Sequence, residues 1–137
     1  MLLQKKLKKQ YSKSIRLEPS DIEIEASDEV FLKKCISTIE KNLQNENLTT
    51  DFLASELKLS NSSLYRKLKS LTNLSSAEFI RSIRLKRAAQ LLQDKNKTVS
   101  EVAYEVGFND LKNFRQVFQK QFNCSPTEFR KKQDIPV

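Results

Sequence analysis

The chain has 137 residues, a net charge of +8, one glycine and no histidine. Without histidine it cannot form a Cys–His nucleophile pair, a Ser–His–Asp triad or the usual zinc sites, and one glycine excludes a Gly-rich phosphate loop. Its apolar runs are too short to cross a membrane, and the opening MLLQKKLKKQ lacks the core of a signal peptide. The scarcity of Gly and Pro leaves little room for hairpin turns and predicts an all-α protein.

These exclusions define a narrow class of protein. We expect a cytoplasmic chain that is not an enzyme, with no catalytic residues, cofactor, metal or small-molecule ligand. Cys35 and Cys124 could form one disulfide, but buried free thiols are the expected state of two distant cysteines in such a chain.

Positive charge is concentrated in two blocks. Residues 1–20 carry six Lys/Arg and one acid, and residues 60–95 carry eight Lys/Arg and two acids. Residues 21–59 between them are acidic, with four lysines against nine acids. Basic blocks suit a polyanion, most simply nucleic acid, although solvation is the usual fate of a charge run. Charge alone does not decide between the two.

The N-terminal part of the chain divides near residue 27. We interpret residues 1–26 as a basic linker or extension, in which the alternation of SDIEIEA (20–26) predicts an extended segment. Ser27 then caps a helix expected to end near Asn45. Its predicted apolar face consists of Phe31, Leu32, Cys35, Ile36, Ile39 and Leu43.

Capping signals place the remaining helices. They are expected at 49–57, at 61–71 after Ser60, at 75–93, at 98–106, from Asn109 or Asp110 to Phe122, and from Ser125 onward. Asn73 and Asn123 follow helix ends as left-handed caps. The long helix 75–93 has apolar residues near both ends, which predicts that it buries each end in a separate core. The organisation is thus a subdomain at 27–74, a connecting helix at 75–93, and a second subdomain with a tail at 94–137.

The two subdomains contain an internal repeat. Residues 49–79 align with 98–129, so that Ala54 matches Ala103 at an offset of 49 and Leu64 matches Phe114 at an offset of 50. Each copy reads as a short helix, a tight turn and a second amphipathic helix, which is a helix-turn-helix. A major groove admits one helix and recurs about every 34 Å along the duplex, so two such units suit a bipartite reader of DNA.

The candidate DNA contacts of each unit are the residues of its second helix that lie outside the apolar face. The first has polar, outward residues at Ser62, Ser63, Tyr65, Arg66 and Lys69, and the second has them at Lys112, Asn113, Gln116 and Lys120. Arg suits guanine, Asn and Gln suit adenine, and Lys suits guanine or phosphate. For one such residue ordinary solvation is the better interpretation, but an acid-poor face at the same place in both copies favours DNA binding. Phe114, Phe118 and Phe122 are assigned to the core.

DNA-backbone contacts are expected around these helices. Helix N-termini offer amides to phosphate, and positive side chains attract it. The assigned backbone set is Ser60, Ser63, Lys69, Ser75, Ser76, Arg81, Lys120 and Ser125. Arg84, Lys86 and Arg87 could equally contact phosphate, pack or stay solvated.

Several motifs resemble the signature of AraC/XylS-type transcription regulators. They are SEVAYEVGFND (100–110), NFRQVF (113–118) and SPTEFR (125–130), with LSNSSLYRKLK (59–69) similar to the other reading unit. The resemblance implies seven helices, two helix-turn-helix subdomains joined by a long central helix, and sequence-specific binding of double-stranded DNA. Carried over by position, it implies base contacts at Ser62, Tyr65, Arg66, Lys112, Asn113 and Gln116. The family often has Gly where Asn73 and Asn123 stand, and Arg where Gln116 stands.

The lead-in IRLEPSDI (15–22) is similar to the segment before the output domain of bacterial hybrid two-component regulators. That similarity implies a domain from a longer parent that contains a receiver domain. This receiver domain and RNA polymerase are candidate further partners. A helical interaction module that binds an acidic partner is the alternative function. An enzyme is the third, and no constellation supports it.

Overall fold

The computed structural model describes residues 19–134, which form seven α-helices and no strand. The all-α prediction is therefore confirmed for this part of the chain. The helices are α1 Pro19–Lys41, α2 Thr50–Glu56, α3 Asn61–Thr72, α4 Ser76–Leu91, α5 Val99–Glu105, α6 Leu111–Phe122 and α7 Pro126–Asp134. The linker predicted for residues 1–18 lies outside the described residues.

The first helix differs from its prediction at both ends. It begins at Pro19 rather than at Ser27, so residues 20–26 are helical and not extended. Two apolar–acidic alternations are too short to define a strand, and proline fits the first helical position. At the other end α1 stops at Lys41 rather than at Asn45, where the Asn42 amide donates to Ile39 O at 3.0 Å and its side chain donates to Thr38 O at 2.7 Å. Such side-chain bonds to the backbone compete with helix continuation.

The chain forms two compact units, and each has its own core. Among the described residues, the first contains residues 19–42 and 47–80, and the second contains residues 43–46 and 81–134. Fully buried side chains of the first unit come from every one of its helices and include Cys35, Ile39, Leu53, Leu64, Leu68 and Phe79. The second core is built on Leu85, Ala88, Leu92, Val102, Ala103, Val106, Phe108, Phe114 and Phe118. Leu43, predicted for the apolar face of α1, packs against this second core instead.

The long helix α4 contributes to both cores. Phe79 and Ile80, in its first half, are buried in the first unit, whereas Leu85 and Ala88 belong to the second cluster. Each half thus buries a different apolar stripe, because a unit this small needs residues from α4 to complete its core. The prediction from its two apolar ends is confirmed.

The predicted caps are confirmed in both copies. Thr98 and Glu101 form a complete capping box, and the Ser75–Glu78 and Ser125–Glu128 pairs exchange the same two hydrogen bonds at 2.8–3.1 Å. Asp110, rather than Asn109, caps α6 and accepts from the amides of Lys112 and Asn113. Asn73 and Asn123 adopt left-handed φ values of 65° and 62°.

The turns inside the two helix-turn-helix units share their hydrogen bonds. Leu59 N donates to Ala54 O at 2.9 Å, and Phe108 N donates to Ala103 O at 2.9 Å. The residue before each donor is left-handed, with φ of 59° at Lys58 and 97° at Gly107. This pattern is a Schellman motif, which ends one helix and redirects the chain into the next. The internal repeat is therefore a structural repeat as well.

Candidate nucleic-acid interface

The outward side of α3 carries most of the residues predicted to contact DNA in the first unit. Because Leu64 and Leu68 are fully buried, the side chains between them are directed outward. Ser62, Arg66 and Lys69 are exposed, and Tyr65 is 46% exposed although it is a large aromatic residue. Arg66 lies within 3.4 Å of the Ser63 hydroxyl, to which it donates from Nη2. The structure thus brings this predicted set together on one helix face.

The outward side of α6 is its counterpart in the second unit. Phe114 and Phe118 are fully buried, and the remaining predicted residues are exposed, namely Lys112, Asn113, Gln116 and Lys120. Phe122, partly buried, has its ring centroid 4.6 Å from that of Phe118 and 5.6 Å from that of Phe129. The aromatic side of α6 is therefore core, as predicted, and only its polar side is open to a ligand.

Both faces are free of acidic side chains. Neither Asn61–Thr72 nor Leu111–Phe122 contains Asp or Glu, and each contains three Lys/Arg. One of these cations is already used inside its unit, because Lys67 Nζ lies 4.6 Å from the centroid of the Phe31 ring. The acid next to α6, Asp110, is held as the helix cap. The remaining cations can contact an anionic ligand without a carboxylate on the same helix competing for them.

The predicted phosphate contacts differ in accessibility. Ser60 and Arg81 are exposed, while Ser63, Ser75 and Ser125 are partly exposed at or beside helix N-termini. Ser76 exposes only 5% of its surface, so its hydroxyl is not available and the prediction for it concerns the first-turn amide. Amides of this kind are natural phosphate donors.

Two arginines outside α3 and α6 donate hydrogen bonds to backbone carbonyls within the second unit. Arg84 Nη1 donates to Gly107 O at 2.9 Å, and burial lowers the pKa of its guanidinium. Arg130 of α7 donates from Nε to Leu92 O at 2.9 Å and from Nη2 to Lys97 O at 2.6 Å, which satisfies carbonyls past the end of α4. Arg84, which could have contacted phosphate, is thus committed to packing.

The residues predicted for the second face did not include its exposed arginine. Arg115 is exposed on α6 and lies 50 positions after Tyr65, so the two occupy the same place in the repeat. The offset that pairs Leu64 with Phe114 would have found it. The candidate surface of α6 therefore includes Arg115 beside Asn113 and Gln116.

Comparisons with known proteins decide the family. A family model described as a helix-turn-helix domain matches residues 53–132, which is more than half of the chain. The chain belongs to the helix-turn-helix domain family. Its resemblance to the AraC type is confirmed by a regulator from Chromobacterium violaceum whose crystal structure is described as containing an AraC-type DNA-binding domain. That structure superposes with a TM-score of 0.73 at 28% identity and covers 82% of this chain and 99% of its own.

Two further relatives connect this AraC-type domain with signalling proteins. Histidine kinase P4 of Formosa agariphila is 40% identical over 125 residues, which cover 91% of this chain and 9% of that protein. The C-terminal domain of AraT, a response regulator from Geobacillus stearothermophilus, has a TM-score of 0.66 at 26% identity, with 88% of this chain and 91% of its own covered. The chain spans less than a tenth of the length of the Formosa relative.

The described part of this AraC-type domain shows neither a metal-binding cluster nor a membrane-spanning helix. Among residues 26–132, no group of three or more His, Cys, Asp or Glu is placed to hold a metal ion. No helix in that range has the length and apolarity that a membrane span requires. Cys35 and Cys124 are both buried and free, as predicted, and burial raises the pKa of the Cys35 thiol to about 12.

Proposed function

We propose that this chain is the output domain of a two-component phosphorelay and binds duplex DNA at a specific sequence to regulate transcription. In this proposal α3 and α6 each enter a segment of major groove, and the two segments follow one another along the duplex. The observation that carries it is the repeat itself: two Schellman turns with matching hydrogen bonds each lead into an acid-free, exposed helix face.

The side chains on these faces suit base recognition. Arg66 presents a planar fork of donors that matches guanine O6 and N7, and Asn113 and Gln116 can each pair with adenine N6 and N7. Ser62, Tyr65 and Lys112 complete the proposed base-contacting set, and all three are exposed. The backbone set consists of residues at helix N-termini together with Lys69, Arg81 and Lys120. It fixes the register of the domain on DNA, because phosphate contacts position a protein and base contacts specify the sequence.

The cellular setting is part of the same proposal. Relatives named as a histidine kinase and as a response regulator support a parent protein in which phosphorylation controls this domain. A receiver domain of that parent and RNA polymerase are the further partners we propose, and a regulator that binds chromosomal DNA acts in the cytoplasm. The function is binding, and we assign no reaction to the domain.

Selection from random duplex DNA tests this function directly. The purified chain is expected to enrich one sequence with two conserved blocks, each about half a helical turn long, whose centres are about 10 base pairs apart. Enrichment of a single block would contradict the use of both helices, and no enrichment over bulk DNA would contradict sequence-specific binding.

A pair of variants then assigns the blocks to the helices. Arg66→Ala is expected to relax selection in one block only, and Gln116→Ala in the other. The Lys131→Ala variant is the matched control, because Lys131 is exposed on α7, outside both faces. Relaxation of the same block by both variants would contradict the assignment of one DNA block to each helix.

A further inference from the structure

A cleft on the first unit lies outside the proposed DNA-binding set. It has a volume of about 670 Å³ and runs between α1 and the C-terminal end of α2. Its lining includes Val30, Lys33, Lys34 and Lys41 from α1, and Leu57 and Lys58 from the end of α2. Since Phe31, Leu32 and Cys35 hold the opposite side of α1 in the core, these α1 residues form the outward face of that helix.

The charge of the cleft is opposite to that of the sequence segment that forms it. Residues 21–59 carry nine acids and only four lysines, and all four lysines line the cleft. Glu56 is the single acid in the lining, and all four lysines are exposed. Every lysine of this acidic segment therefore lies around one cleft, and we take the positive charge of the cleft to be a recognition feature.

The cleft also has an apolar component. Val30 is 53% exposed, which makes it one of the exposed large hydrophobic residues of the described chain, and Leu57 is partly exposed beside it. A phosphate backbone gains little from apolar contacts, whereas a peptide gains about 25 cal/mol for each Å² of apolar surface it buries. The mixture of Lys and aliphatic side chains therefore favours a protein ligand over a nucleic acid.

The second unit shows what the equivalent surface does when it is covered. Gly107 occupies the repeat position of Lys58, and a Cβ added to it would lie 2.1 Å from Leu43 O and 2.8 Å from Arg84 Nη1. In that unit a segment of backbone and an arginine therefore pack directly on the turn. In the first unit the same position carries the side chain of Lys58 into an open cleft. The surface beside this turn is thus one on which polypeptide can pack.

From these observations we infer that the cleft docks an acidic protein segment with interspersed apolar residues. Its carboxylates pair with Lys33, Lys34, Lys41 and Lys58, and its apolar side chains cover Val30 and Leu57. The chain's own N-terminal segment is a poor occupant, because residues 1–18 contain six Lys/Arg and a single acid. On this charge complementarity we assign the cleft to an acidic segment of a partner protein, which binds while α3 remains free to contact DNA.

Fluorescence anisotropy with a defined peptide tests the inference. The probe is a labelled 14-residue peptide of Glu, Asp and Leu with Leu at helical spacing, and its two controls replace Leu by Ser or the acids by Lys. The wild-type chain is expected to bind the probe and neither control peptide. Failure to bind the probe, or equal binding of the Leu→Ser peptide, would overturn the inference.

Matched protein variants locate the site. Lys33→Glu/Lys41→Glu is expected to weaken probe binding by at least about tenfold, and Val30→Ser by about threefold. Lys131→Glu/Lys132→Glu makes the same charge change on α7 and is expected to leave probe binding within about twofold of wild type. Far-UV circular dichroism checks that each variant is folded. Equal weakening by both charge-reversed pairs would reduce the effect to net charge and overturn the site.

Duplex DNA provides the competing outcome. If the cleft instead contacted a phosphate backbone, Lys33→Glu/Lys41→Glu would weaken binding to the selected duplex far more than Lys131→Glu/Lys132→Glu does. That result, together with unchanged probe binding, would assign the lysines to DNA and overturn the protein-docking inference. The inference expects both pairs to affect duplex binding to the same small extent.

Discussion

Lys58 and Gly107 occupy the same left-handed turn position, yet the two sites tolerate different residues. A non-glycine residue at φ near 60° costs about 1 kcal/mol, and Lys58 accepts that cost because its side chain projects into open space. At Gly107 any Cβ would collide with Leu43 O. One residue type is therefore required in the second unit and optional in the first.

This contrast makes a stability prediction. Lys58→Gly is expected to raise the free energy of unfolding by about 0.5–1 kcal/mol, because relief of the left-handed strain outweighs the added freedom of the unfolded chain. Gly107→Ala is expected to lower it by more than about 2 kcal/mol, since it adds both strain and a clash. Urea unfolding followed by circular dichroism measures both. A loss of stability in Lys58→Gly would show that the lysine side chain contributes to folding.

Arg66 is the residue of α3 whose chemistry is most specific. Arg66→Ala is expected to cost about 1–3 kcal/mol on the selected site and to relax the preference at one base pair. Arg66→Lys is the informative companion, because it keeps the charge and loses the planar fork of donors. It is expected to leave the base preference relaxed although the charge is kept, because the planar fork of donors reads the base. Equal loss on every sequence would make Arg66 a phosphate contact.

Arg115 is predicted to act as the partner of Gln116 on α6. It is exposed, it lies on an acid-free helix, and it matches Tyr65 in the repeat. Arg115→Ala is expected to weaken binding to the selected site by about 1–3 kcal/mol, in the DNA block assigned to Gln116. Competition binding on duplexes altered one base pair at a time measures this. A loss confined to the Arg66 block would contradict the placement of Arg115.

At the level of elements, the capping boxes link this fold to pH. Hydrogen bonds from Thr98 to Glu101 and from Ser125 to Glu128 lower the pKa of both carboxyls below the usual value of about 4.3. A carboxyl whose pKa is lower in the folded state stabilises the fold above its unfolded pKa, and that contribution is lost as the pH falls through the folded pKa. The domain is therefore expected to lose stability below about pH 4.

Glu101→Gln/Glu128→Gln tests this origin of the pH dependence. Glutamine keeps the acceptor of the capping box but does not titrate in this range, so the difference in melting temperature between pH 7 and pH 3 is expected to shrink. Glu46→Gln is the control, since Glu46 is an exposed carboxylate outside any capping box. An equal change in the control would assign the effect to general surface charge.

How far the sequence predicted each element depended on how local its determinants are. The boundaries of α3, α5 and α6 follow from Ser60, Thr98 and Asp110, whose side chains bond amides two or three residues away. The start of α1 was wrong because alternation over seven residues has no local feature that separates a strand from a helix. Arg84 and Arg130 bond residues that lie 23 and 38 positions away in the chain, and Leu43 packs against the core of the second unit. No pattern within one helix encodes these contacts.

The sequence predicted most of the candidate site, because most of its residues are placed by local helical geometry. Outward residues of α3 and α6 follow once the buried Leu and Phe positions are assigned, because helical geometry fixes the other side. Arg115 follows only from the alignment of α6 with α3 at the offset of 50, which matches it with the exposed Tyr65. The cleft beside α1 could not be predicted, because it depends on how α1 lies against the end of α2.

At the level of the whole molecule, we predict that both helix-turn-helix units contribute to the salt dependence of DNA affinity. Each phosphate neutralised contributes about −0.9 to the slope of log affinity against log salt. Lys69 and Lys120 lie in the last turns of α3 and α6, where we propose that each contacts one phosphate. Lys69→Ala/Lys120→Ala is expected to reduce the magnitude of the slope by about 1.8, two contacts at about 0.9 each, while selected and random duplexes weaken equally.

Each single variant is expected to reduce the magnitude of the slope by about 0.9, which is half of the change in the double variant, because the two units contribute independent contacts to one complex. Arg66→Ala is the contrasting variant, since it is expected to change the preference for the selected duplex over random duplex. Titrations at four salt concentrations between 50 and 200 mM, which is about the range where such effects are large, measure all the slopes. If Lys69→Ala alone abolished the whole effect, only the first unit would engage DNA, and a bipartite mode of binding would be excluded. Equal, additive slopes require both helices to meet the duplex at once, which is the feature that separates a tandem reader from a single helix-turn-helix.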